Sequence, residues 1–418
     1  MYKTYVSKLR TKLDKKKSMS FSNSLIEDYW KEEKFVFNLN HSGKKELCKS
    51  CKVDFIDGNK EICLKCENHI NIGSILPKLK YIEITDSSEA HIKILSNYGV
   101  KLHKDVPGES ENFIYNINDS KIYPKLSNKF KFIANNVPMD NHKTISFDEL
   151  GKKSIGTDKL AYLKADVDNL GSIFSLGFNK DVEGKMINKN NISRTTTLSR
   201  MLDIFFTGRI SEIIKKKYEN CYVVYSGGDD LFIIGPWSEI IDFSIYMEEE
   251  FRSFVGNNAN ITISAGISMA NVSTPVSKVA DYVEGELEES KGRIVKGEEY
   301  GKNHVTIFNR TMKWQDFKKA IDDGKKLTKW IKEGLMTHGD LWRLKEYDEL
   351  FQDFYINGNV QGLKYKPFLA YHIGKKKKSN KDVREVVNWQ ESLFDMANPS
   401  LINLGVAMEY AVMASKGR

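Results

Sequence analysis

The stretch YSGGDDLFII, at residues 225–234, constrains the fold most strongly, because it joins two apolar runs through a tip of two glycines and two aspartates. The flanking runs, Cys221–Ser226 and Leu231–Ile234, predict the two strands of a β-hairpin. Gly and Asp are common hairpin-turn residues because both tolerate a positive φ. Two adjacent carboxylates, however, repel each other. The tip is therefore either a solvated turn or a binding site for something positively charged.

The segments around this hairpin predict a ferredoxin-like β-α-β-β-α-β domain, extended by one further helix and one further strand. Before the hairpin, residues 159–167 predict an apolar strand, and residues 193–218 carry apolar side chains at helical spacing. After the hairpin, Pro236 opens a second helix, as proline often does. The remaining predicted elements are a strand at 260–268, a helix at 275–291 and a strand at 304–308. In this fold the first strand lies beside the hairpin in the centre of the sheet.

The first predicted strand ends in the sequence ADVDNLG, which brings further acids to the hairpin. Alternation along a strand places Asp166 and Asp168 on one face, next to Asp229 and Asp230. Such a group of carboxylates is costly unless a cation lies between them. Carboxylate oxygens, together with the backbone carbonyl of Val167, suit Mg²⁺ or Mn²⁺. The sequence therefore predicts a divalent-metal site, in which two metals would activate a 3′-hydroxyl and stabilise a leaving pyrophosphate.

A backbone corner follows this strand and leads into a helix at residues 169–172. Backbone amides at the start of a helix bind phosphate oxygens. The amides of this corner, beginning with that of Asn169, are therefore the predicted phosphate-binding part of the site.

Four of the five cysteines lie in one short stretch, CKSCKVDFIDGNKEICLKC. Cys48 and Cys51 form one CxxC pair, Cys63 and Cys66 form the other, and an Asp-Gly-Asn turn lies between them. This spacing is typical of one tetrahedral zinc ion held by four thiolates; the alternative is two unrelated redox pairs. Four thiolates leave no open coordination position, so the predicted role of the zinc is structural.

The chain of 418 residues is long enough for about three domains. The fold class predicted is α+β. The aromatic residues after residue 310 are expected to form a helical core, and residues 1–45 are expected to be helical or extended. The predicted domains are a zinc-ribbon-containing linker domain at 1–150, the GGDD domain at 151–310 and a helical C-terminal domain at 311–418.

The composition, with 40% hydrophobic and 29% charged residues, is typical of a soluble globular protein. The basic N-terminus lacks the apolar stretch of a signal peptide, and no segment approaches the roughly 18 apolar residues of a membrane span. We therefore expect a cytoplasmic protein without membrane contact. The net charge of +8 lies largely in lysine runs, which are either solvated faces or contacts for a polyanion such as nucleic acid.

Taken together, the strand ending in DxD, the GGDD hairpin, ISAGIS, and a helix ending in EESK before KNHVTIF resemble the palm of nucleotidyl cyclases and diguanylate cyclases. They are more similar to the second palm of the large, polymerase-like subunit of type III CRISPR effector complexes. That subunit also carries a zinc ribbon before this palm and a helical domain after it. The resemblance covers nearly the whole chain and implies a role in antiviral defence.

This resemblance implies that the palm binds ATP and divalent metal, and that with a partner palm it makes cyclic oligoadenylate when target RNA pairs with guide RNA. It implies metal ligation and catalysis by Asp166, Asp229 and Asp230, with Asp168 as a weaker candidate. Nucleotide contacts are implied for a second set of residues, namely Asn169, Ser226, Gly227, Gly228 and Lys291. Lys291 would reach a phosphate; the alternative is a favourable charge at a helix C-terminus.

Two departures from the family pattern qualify these expectations. Asp230-Leu231 stands where diguanylate cyclases carry Glu-Phe, which argues against a GTP-specific diguanylate cyclase. The family begins with an HD nuclease domain and a first palm, whereas this chain contains no His-Asp pair and shows no second β-α-β-β-α-β pattern before residue 155. The chain is therefore expected to be the C-terminal part of that subunit, from a split gene or as a fragment, without HD-type DNase activity. A partner chain would then carry the HD and first palm domains.

Three other functions remain open from the sequence. The chain could be a non-catalytic, RNA-contacting scaffold of the same complex, although a scaffold does not need clustered acids. It could be a template-dependent polymerase, although fingers and thumb of adequate size are not evident. It could also be a stand-alone zinc-ribbon RNA-binding protein.

Overall fold

The computed structural model describes residues 2–18, 46–56, 60–86, 88, 90–94, 98–108, 112–121, 129–141, 143–182, 185–292, 301–378 and 382–416. The chain divides into two compact units. The first unit comprises Met1–Phe132 and Gly171–Ser199, and the second unit comprises Ile133–Leu170 and Arg200–Arg418.

Helices account for most of the second half of the chain. Two short 3-10 helices lie at Leu76–Lys78 and Val360–Lys364, and a π-helical turn lies at Ile204–Arg209. The α-helices are α1 (Tyr2–Ser18), α2 (Leu64–Ile75), α3 (Phe147–Gly151), α4 (Leu170–Leu176), α5 (Ile192–Asp203), α6 (Ile210–Lys217), α7 (Trp237–Phe254), α8 (Val276–Gly292), α9 (Trp314–Lys332), α10 (His338–Asn357), α11 (Tyr365–Lys376), α12 (Arg384–Ser392), α13 (Pro399–Ile402) and α14 (Leu404–Ser415).

The strands form two larger sheets and two small hairpins. They are β1 (Tyr81–Asp86), β2 (Ile92–Lys93), β3 (Tyr98–His103), β4 (Phe113–Ile117), β5 (Lys129–Lys131), β6 (Met139–Asp140), β7 (Lys143–Thr144), β8 (Lys159–Val167), β9 (Asn179–Val182), β10 (Lys185–Asn188), β11 (Tyr222–Gly227), β12 (Asp230–Pro236), β13 (Ile263–Asn271), β14 (His304–Ile307) and β15 (Arg310–Lys313).

The first unit contains a five-stranded sheet in the order β2-β3-β1-β4-β5. Three short apolar runs between residues 75 and 150, KYIEIT, NFIYNI and KFKFIANNV, predict the strands β1, β4 and β5, whereas β2 and β3 were not predicted. The predicted leading segment is helical over α1, and the rest of it lies outside the described residues. Helix α2 begins directly after Cys63, within the cysteine stretch.

The second unit contains a six-stranded sheet in the order β11-β12-β8-β13-β14-β15. The first four strands have the order of a ferredoxin-like fold, with the first strand, β8, between the hairpin and β13. Strands β13 and β14 are parallel and are joined through α8, while β15 pairs with β14 in the antiparallel direction. The predicted ferredoxin-like palm arrangement is therefore confirmed, with β14 as the expected extra strand.

Alternation along β8 divides its side chains between the two faces of this sheet. Tyr162 packs with Val279 and Val283 of α8 in one apolar cluster, so this face lies against α8. In β13, Gly266 lies opposite Lys164 and leaves room for the helix, because an added Cβ would lie 2.4 Å from the backbone nitrogen of Leu287. The face of β8 that carries Tyr162, and therefore also Asp166, is the one covered by α8.

The helices after β15 form their own apolar core, as the aromatic spacing predicted. Its buried aromatic side chains are those of Trp330, Tyr347, Phe351, Tyr365 and Trp389. Trp342 is an exception, with 68% of its surface exposed. An ion pair between Arg310 of β15 and the buried Asp348 of α10 connects these helices to the sheet. In the part of the chain that is described, no helix is both long and apolar enough to cross a membrane.

Candidate metal and nucleotide site

The predicted acids meet where β8 pairs with the hairpin. In the antiparallel register, Asp166 of β8 lies directly opposite Asp230 of β12, and Asp230 also lies opposite Gly227 of β11. The amide of Val167 donates a 3.1 Å hydrogen bond to the carbonyl of Asp229. Directly opposed residues share one face, with their Cβ atoms about 4.5–5.5 Å apart. Backbone pairing thus brings two predicted ligands together and fixes the third beside them.

Burial and repulsion raise the pKa of Asp166 and of Asp230. Burial, followed by the charge of Asp229, raises the pKa of Asp230, although a hydrogen bond from Tyr225 opposes the shift. Burial also raises the pKa of Asp166, whose two acidic neighbours add to the shift while Lys291 opposes it. Burial and the charge of Asp230 raise the pKa of Tyr225 to about 12. A cation at this position would relieve the repulsion.

Lys291 lies in the last turn of α8 and donates from Nζ to Oδ2 of Asp166 at 2.5 Å. Burial lowers the pKa of Lys291, but the hydrogen bond to Asp166 raises it by more, so the net shift is upward. Two turns earlier on α8, Glu284 accepts a 2.5 Å bond from Lys164, which lies on the same face of β8 as Asp166. Sequence reasoning assigned Lys291 to a phosphate; the structure places it on a predicted metal ligand at the same site.

Asp168 lies next to the group of acids, and its carboxylate is already hydrogen-bonded within the fold. Its carboxylate is buried and accepts hydrogen bonds from the hydroxyls of Thr262 at 2.7 Å and Ser264 at 2.8 Å, and from the amide of Asn303 at 2.9 Å. Strand β8 ends at Val167, but the carboxylate of Asp168 lies beside Ser264, the residue of β13 directly opposite Asp166, so the metal role of Asp168 stays a prediction. Three donors on its carboxylate give Asp168 a role in fastening the strand end to β13 and to the segment before β14.

Asn169 occupies the corner after β8 with a φ of 55°, and its side chain is exposed. Its Oδ1 accepts a 2.6 Å hydrogen bond from Nζ of Lys302. An asparagine tolerates this left-handed backbone better than most residues. The predicted corner is present, and Lys302 is a basic residue beside it that sequence reasoning missed.

The two glycines of the hairpin, Gly227 and Gly228, differ in backbone conformation and in the space around them. Gly228 has a φ of 71°, which favours glycine, and nothing lies within 4 Å of the position a Cβ would take. A Cβ on Gly227 would lie 3.3 Å from Cγ2 of Thr207. Ser226 donates from Oγ to the carbonyl of Phe206 at 2.6 Å, so its hydroxyl binds the protein backbone.

A further acid, Asp203, reaches the hairpin tip from the end of α5. Its Oδ1 accepts a 3.3 Å hydrogen bond from the amide of Gly228. Sequence reasoning placed Asp203 within a long helix and gave it no role, because a single half-buried acid in a helical pattern carries no signal of its own. The helix is also interrupted by the π-turn directly after this residue, a change of hydrogen bonding that apolar spacing does not reveal.

Among the described residues, the four cysteines are the only group of three or more potential metal ligands whose ligand atoms all lie within 4.8 Å of one another. The hairpin acids are less closely gathered, and Oδ2 of Asp166 is bound to Lys291. Their chemistry nevertheless fits Mg²⁺ or Mn²⁺, which prefer oxygen ligands and retain water. A cation there would bind the other oxygen of Asp166 or displace the ammonium of Lys291.

The cysteine cluster lies in the first unit. Sγ of Cys51 is 3.8 Å from Sγ of Cys63, and the amide of Cys63 donates to Sγ of Cys48 at 3.2 Å. Against the effect of burial, backbone amides lower the pKa of Cys48 to about 6. A hydrogen bond with Ser50 lowers the pKa of Cys66, but the neighbouring thiols and burial raise it by more, to about 12. Each thiolate therefore disfavours ionisation of the neighbouring thiols, and a bound metal ion would stabilise the thiolates together. The predicted gathering of the four cysteines is confirmed.

Residues 159–306 match the sequence model of the Cas10/Cmr2 second palm domain. Curated relatives include two proteins described as the single-strand-specific deoxyribonuclease Cas10/Csm1 of subtype III-A CRISPR systems. The protein from Methanocaldococcus jannaschii is 35% identical over 254 residues, which cover 56% of this chain and 30% of that protein. The protein from Enterococcus italicus is 28% identical over 424 residues, which cover 94% of this chain and 50% of that protein.

Solved structures share the fold. A Csm1–Csm4 subcomplex of the type III-A interference complex aligns with a TM-score of 0.61 at 22% identity, over 84% of this chain and 50% of that chain. A Csm1–Csm4 cassette in complex with AMPPNP aligns with a TM-score of 0.60 at 23% identity, over 84% of this chain and 49% of that chain. At this level of identity the structures show the fold alone.

These findings confirm the resemblance to the large subunit of type III CRISPR effector complexes. The part that matches the family model is its second palm domain, with β8, the GGDD hairpin, β13 and α8 inside the matched segment. The chain spans half or less of the length of these curated relatives.

Proposed function

We propose that the chain is a subunit of a type III CRISPR RNA-guided effector complex, and that its palm binds ATP with a divalent metal. With a partner palm it makes cyclic oligoadenylate when target RNA pairs with guide RNA. The observation that carries this proposal is the register that sets Asp166 opposite Asp230 beside Asp229, within a segment matching a Cas10/Cmr2 palm. Structures of the same fold are described as Csm1–Csm4 cassettes with one ATP, pppApA and cA4, which supports nucleotide chemistry on this fold.

In this proposal Asp166, Asp229 and Asp230 hold the metal, with the carbonyl of Val167 as a further oxygen. A bound Mg²⁺ or Mn²⁺ supplies positive charge that favours deprotonation of a 3′-hydroxyl and departure of pyrophosphate. Lys291, once it leaves Asp166, carries an ammonium suited to phosphate oxygens.

The remaining contacts of the proposed site come from the backbone. Gly227 and Gly228 allow a nucleotide to approach the hairpin closely, and Ser226 supports the tip from the strand before it. The corner at Asn169 presents its amide towards phosphate. The four cysteines hold a structural zinc ion in the first unit.

The proposed partners are guide RNA, target RNA and the other subunits of the complex, including a chain with the HD and first palm domains if the gene is split. The need for a second palm follows from chemistry: one nucleotide must present its 3′-hydroxyl to the triphosphate of another. Holding two reactants in line lowers such a barrier by about 7–11 kcal/mol.

The test is a double variant, Asp229→Asn with Asp230→Asn, assembled with the partner subunits and guide RNA. We expect Mg²⁺-dependent ATP turnover to be lost while guide and target RNA binding stay within about twofold, because RNA affinity comes from basic surfaces. Asp281→Asn, which removes an exposed acid from α8, is the matched control.

Two results would contradict the proposal. Oligoadenylate synthesis by the double variant at the wild-type rate would remove the acids from the chemistry. A wild-type complex that binds both RNAs yet never turns over ATP would favour the scaffold function instead.

A further inference from the structure

The helix that precedes the GGDD hairpin changes its hydrogen bonding where it meets the hairpin. In the π-turn Ile204–Arg209, the amide of Ile210 bonds to the carbonyl of Phe205, five residues back. The hydroxyl of Thr207 bonds to the carbonyl of Asp203 at 2.6 Å, an arrangement that bends helices. π-Turns are rare and frequently lie at functional sites. This one lies in the same unit as the palm acids.

Three contacts join the π-turn and the residue before it to the hairpin tip. The carbonyl of Phe206 accepts the hydroxyl of Ser226 at 2.6 Å, and Cγ2 of Thr207 lies 3.3 Å from where a Cβ on Gly227 would be. The carboxylate of Asp203 accepts the amide of Gly228 at 3.3 Å. Three consecutive residues of the tip, 226–228, are therefore each held from one side, directly before the two acids.

The contact at Gly228 restrains the peptide that directly precedes Asp229. Gly228 has a φ of 71° and no packing neighbour within 4 Å of its Cβ position, so side-chain packing does not hold its conformation. The hydrogen bond from its backbone amide to Asp203 is a specific restraint on this peptide, and the next residue in the chain is Asp229. The half-buried acceptor Asp203 thus restrains the turn directly before the two acids, while the amide of Val167 bonds to the carbonyl of Asp229 after it.

We propose that Asp203 is a positioning residue: it holds the Gly228 amide, and through it the hairpin tip, in the conformation that lets Asp229 and Asp230 bind a metal. The metal-binding half of this inference rests on the proposed function. The restraint on the tip does not, since it follows from the contacts of Asp203, Phe206 and Thr207 alone.

The role predicts a difference between two substitutions. Asp203→Asn keeps an oxygen in the same place and removes the charge, whereas Asp203→Ala removes the acceptor. If Asp203 acts as an acceptor, the Asn variant resembles the wild type and the Ala variant does not. If it acted through its charge, as a metal ligand does, both variants would fail alike.

Hydrogen–deuterium exchange on the full chain measures the restraint without any activity. In Asp203→Ala we expect the amides of the tip, in peptides spanning residues 224–231, to exchange about two- to tenfold faster, the usual range for loss of one hydrogen bond. Asp203→Asn should exchange as the wild type does. Glu219→Ala, which removes an exposed acid before the other end of β11, is the control and should leave the tip unchanged.

Mn²⁺ titration followed by electron paramagnetic resonance measures the consequence, on protein preloaded with one equivalent of Zn²⁺. We expect Asp203→Ala to weaken Mn²⁺ binding by about two- to tenfold, with Asp203→Asn close to the wild type and Asp229→Asn/Asp230→Asn showing no binding at this site. An unchanged melting temperature of the Ala variant shows that the loss is local; if that variant does not fold, the comparison of Asp203→Asn with the wild type decides between acceptor and charge.

The two failures can be told apart. Equal exchange rates at the tip in Asp203→Ala and wild type would overturn the positioning role. So would an equal loss of Mn²⁺ binding in the Ala and Asn variants. Faster exchange in the Ala variant alone, in a protein whose wild type binds no Mn²⁺ at the hairpin, would leave the restraint established and contradict the proposed function.

Discussion

Removal of one charge from the hairpin, by Asp230→Asn, should make the metal-free protein more stable at neutral pH. Asp230 lies directly opposite Asp166 and next to Asp229, and both burial and repulsion raise its pKa. Asparagine has the same shape and keeps an oxygen that can accept the hydrogen bond from Tyr225. The substitution therefore removes the cost of burying the charge and its repulsion by Asp229, together with a smaller attraction to Lys164.

The magnitude follows from the register. The Cβ atoms of opposed residues are about 4.5–5.5 Å apart, and two unit charges about 5.5 Å apart repel by about 3 kcal/mol at an effective dielectric constant of about 20 and by about 1 kcal/mol in water. We expect a gain of about 1–3 kcal/mol, or roughly 2–10 °C in melting temperature for a unit of this size.

The gain should depend on pH with a definite sign. A carboxyl group whose pKa is raised in the folded state stabilises the fold below the ordinary aspartate pKa, and that contribution is lost as the pH rises through the raised value. Both Asp166 and Asp230 behave in this way. The difference between Asp230→Asn and wild type should thus be small near pH 4 and reach its maximum by about pH 7–8.

Thermal unfolding followed by tryptophan fluorescence is the assay, because five of the six tryptophans lie beyond residue 200 and so report on the second unit. Metal-free buffer without chelator is required, since a chelator would also compete at the cysteine cluster. Adding Mg²⁺ at ten times its dissociation constant should stabilise the wild type by about 1.4 kcal/mol and leave the variant unchanged. Asp281→Asn should match the wild type throughout. An Asp230→Asn protein that melts below the wild type at pH 7.5, with the same pH dependence, would refute the reasoning.

Other predictions concern separate parts of the chain. Cys48→Ser should lose the one bound zinc seen by metal analysis, whereas Cys221→Ala should retain it; a zinc-free wild type that stays fully folded would contradict the structural role. Gly266→Ala should lower the melting temperature by several degrees, because its Cβ would lie 2.4 Å from the backbone of Leu287 in α8; an unchanged melting curve would show that α8 moves freely. The isolated chain should bind Mg·ATP weakly and form essentially no cyclic product until a partner palm is added, as mass analysis of the products would show. Robust synthesis unaffected by dilution would contradict the need for a partner, and a rate that falls on dilution would indicate self-dimerisation.

The sequence predicted the palm well because each of its elements carries a local signal. Strand β8 has the predicted bounds, and the hairpin, α7, α8 and β13 lie within a few residues of their predicted positions. Apolar period and turn chemistry determine such elements, and the known order of a ferredoxin-like fold then determines their neighbours. The pairing of Asp166 with the hairpin followed from that order alone.

The parts that sequence reasoning missed depend on contacts between distant residues. The hydrogen bonds of Asp168 were missed because its three donors come from residues 262–303, far along the chain. The bond from Lys291 to Asp166 and the contact of Asp203 with Gly228 join residues that no period relates. Strand β2 was missed because it has only two residues. Strand β3 was missed although Tyr98, Val100 and Leu102 alternate with small or polar residues.

The balance of forces at the hairpin argues for chemistry rather than assembly. Three acids at the tip raise one another's cost, and the fold meets that cost with specific restraints: the amide of Val167 on Asp229, the ammonium of Lys291 on Asp166, and the π-turn on residues 226–228. A palm that served only as a scaffold would gain stability by losing Asp230, whose pKa burial and repulsion raise. Carboxylates that are costly, yet closely positioned by backbone and side-chain bonds, are what a metal-dependent transfer of nucleotides requires.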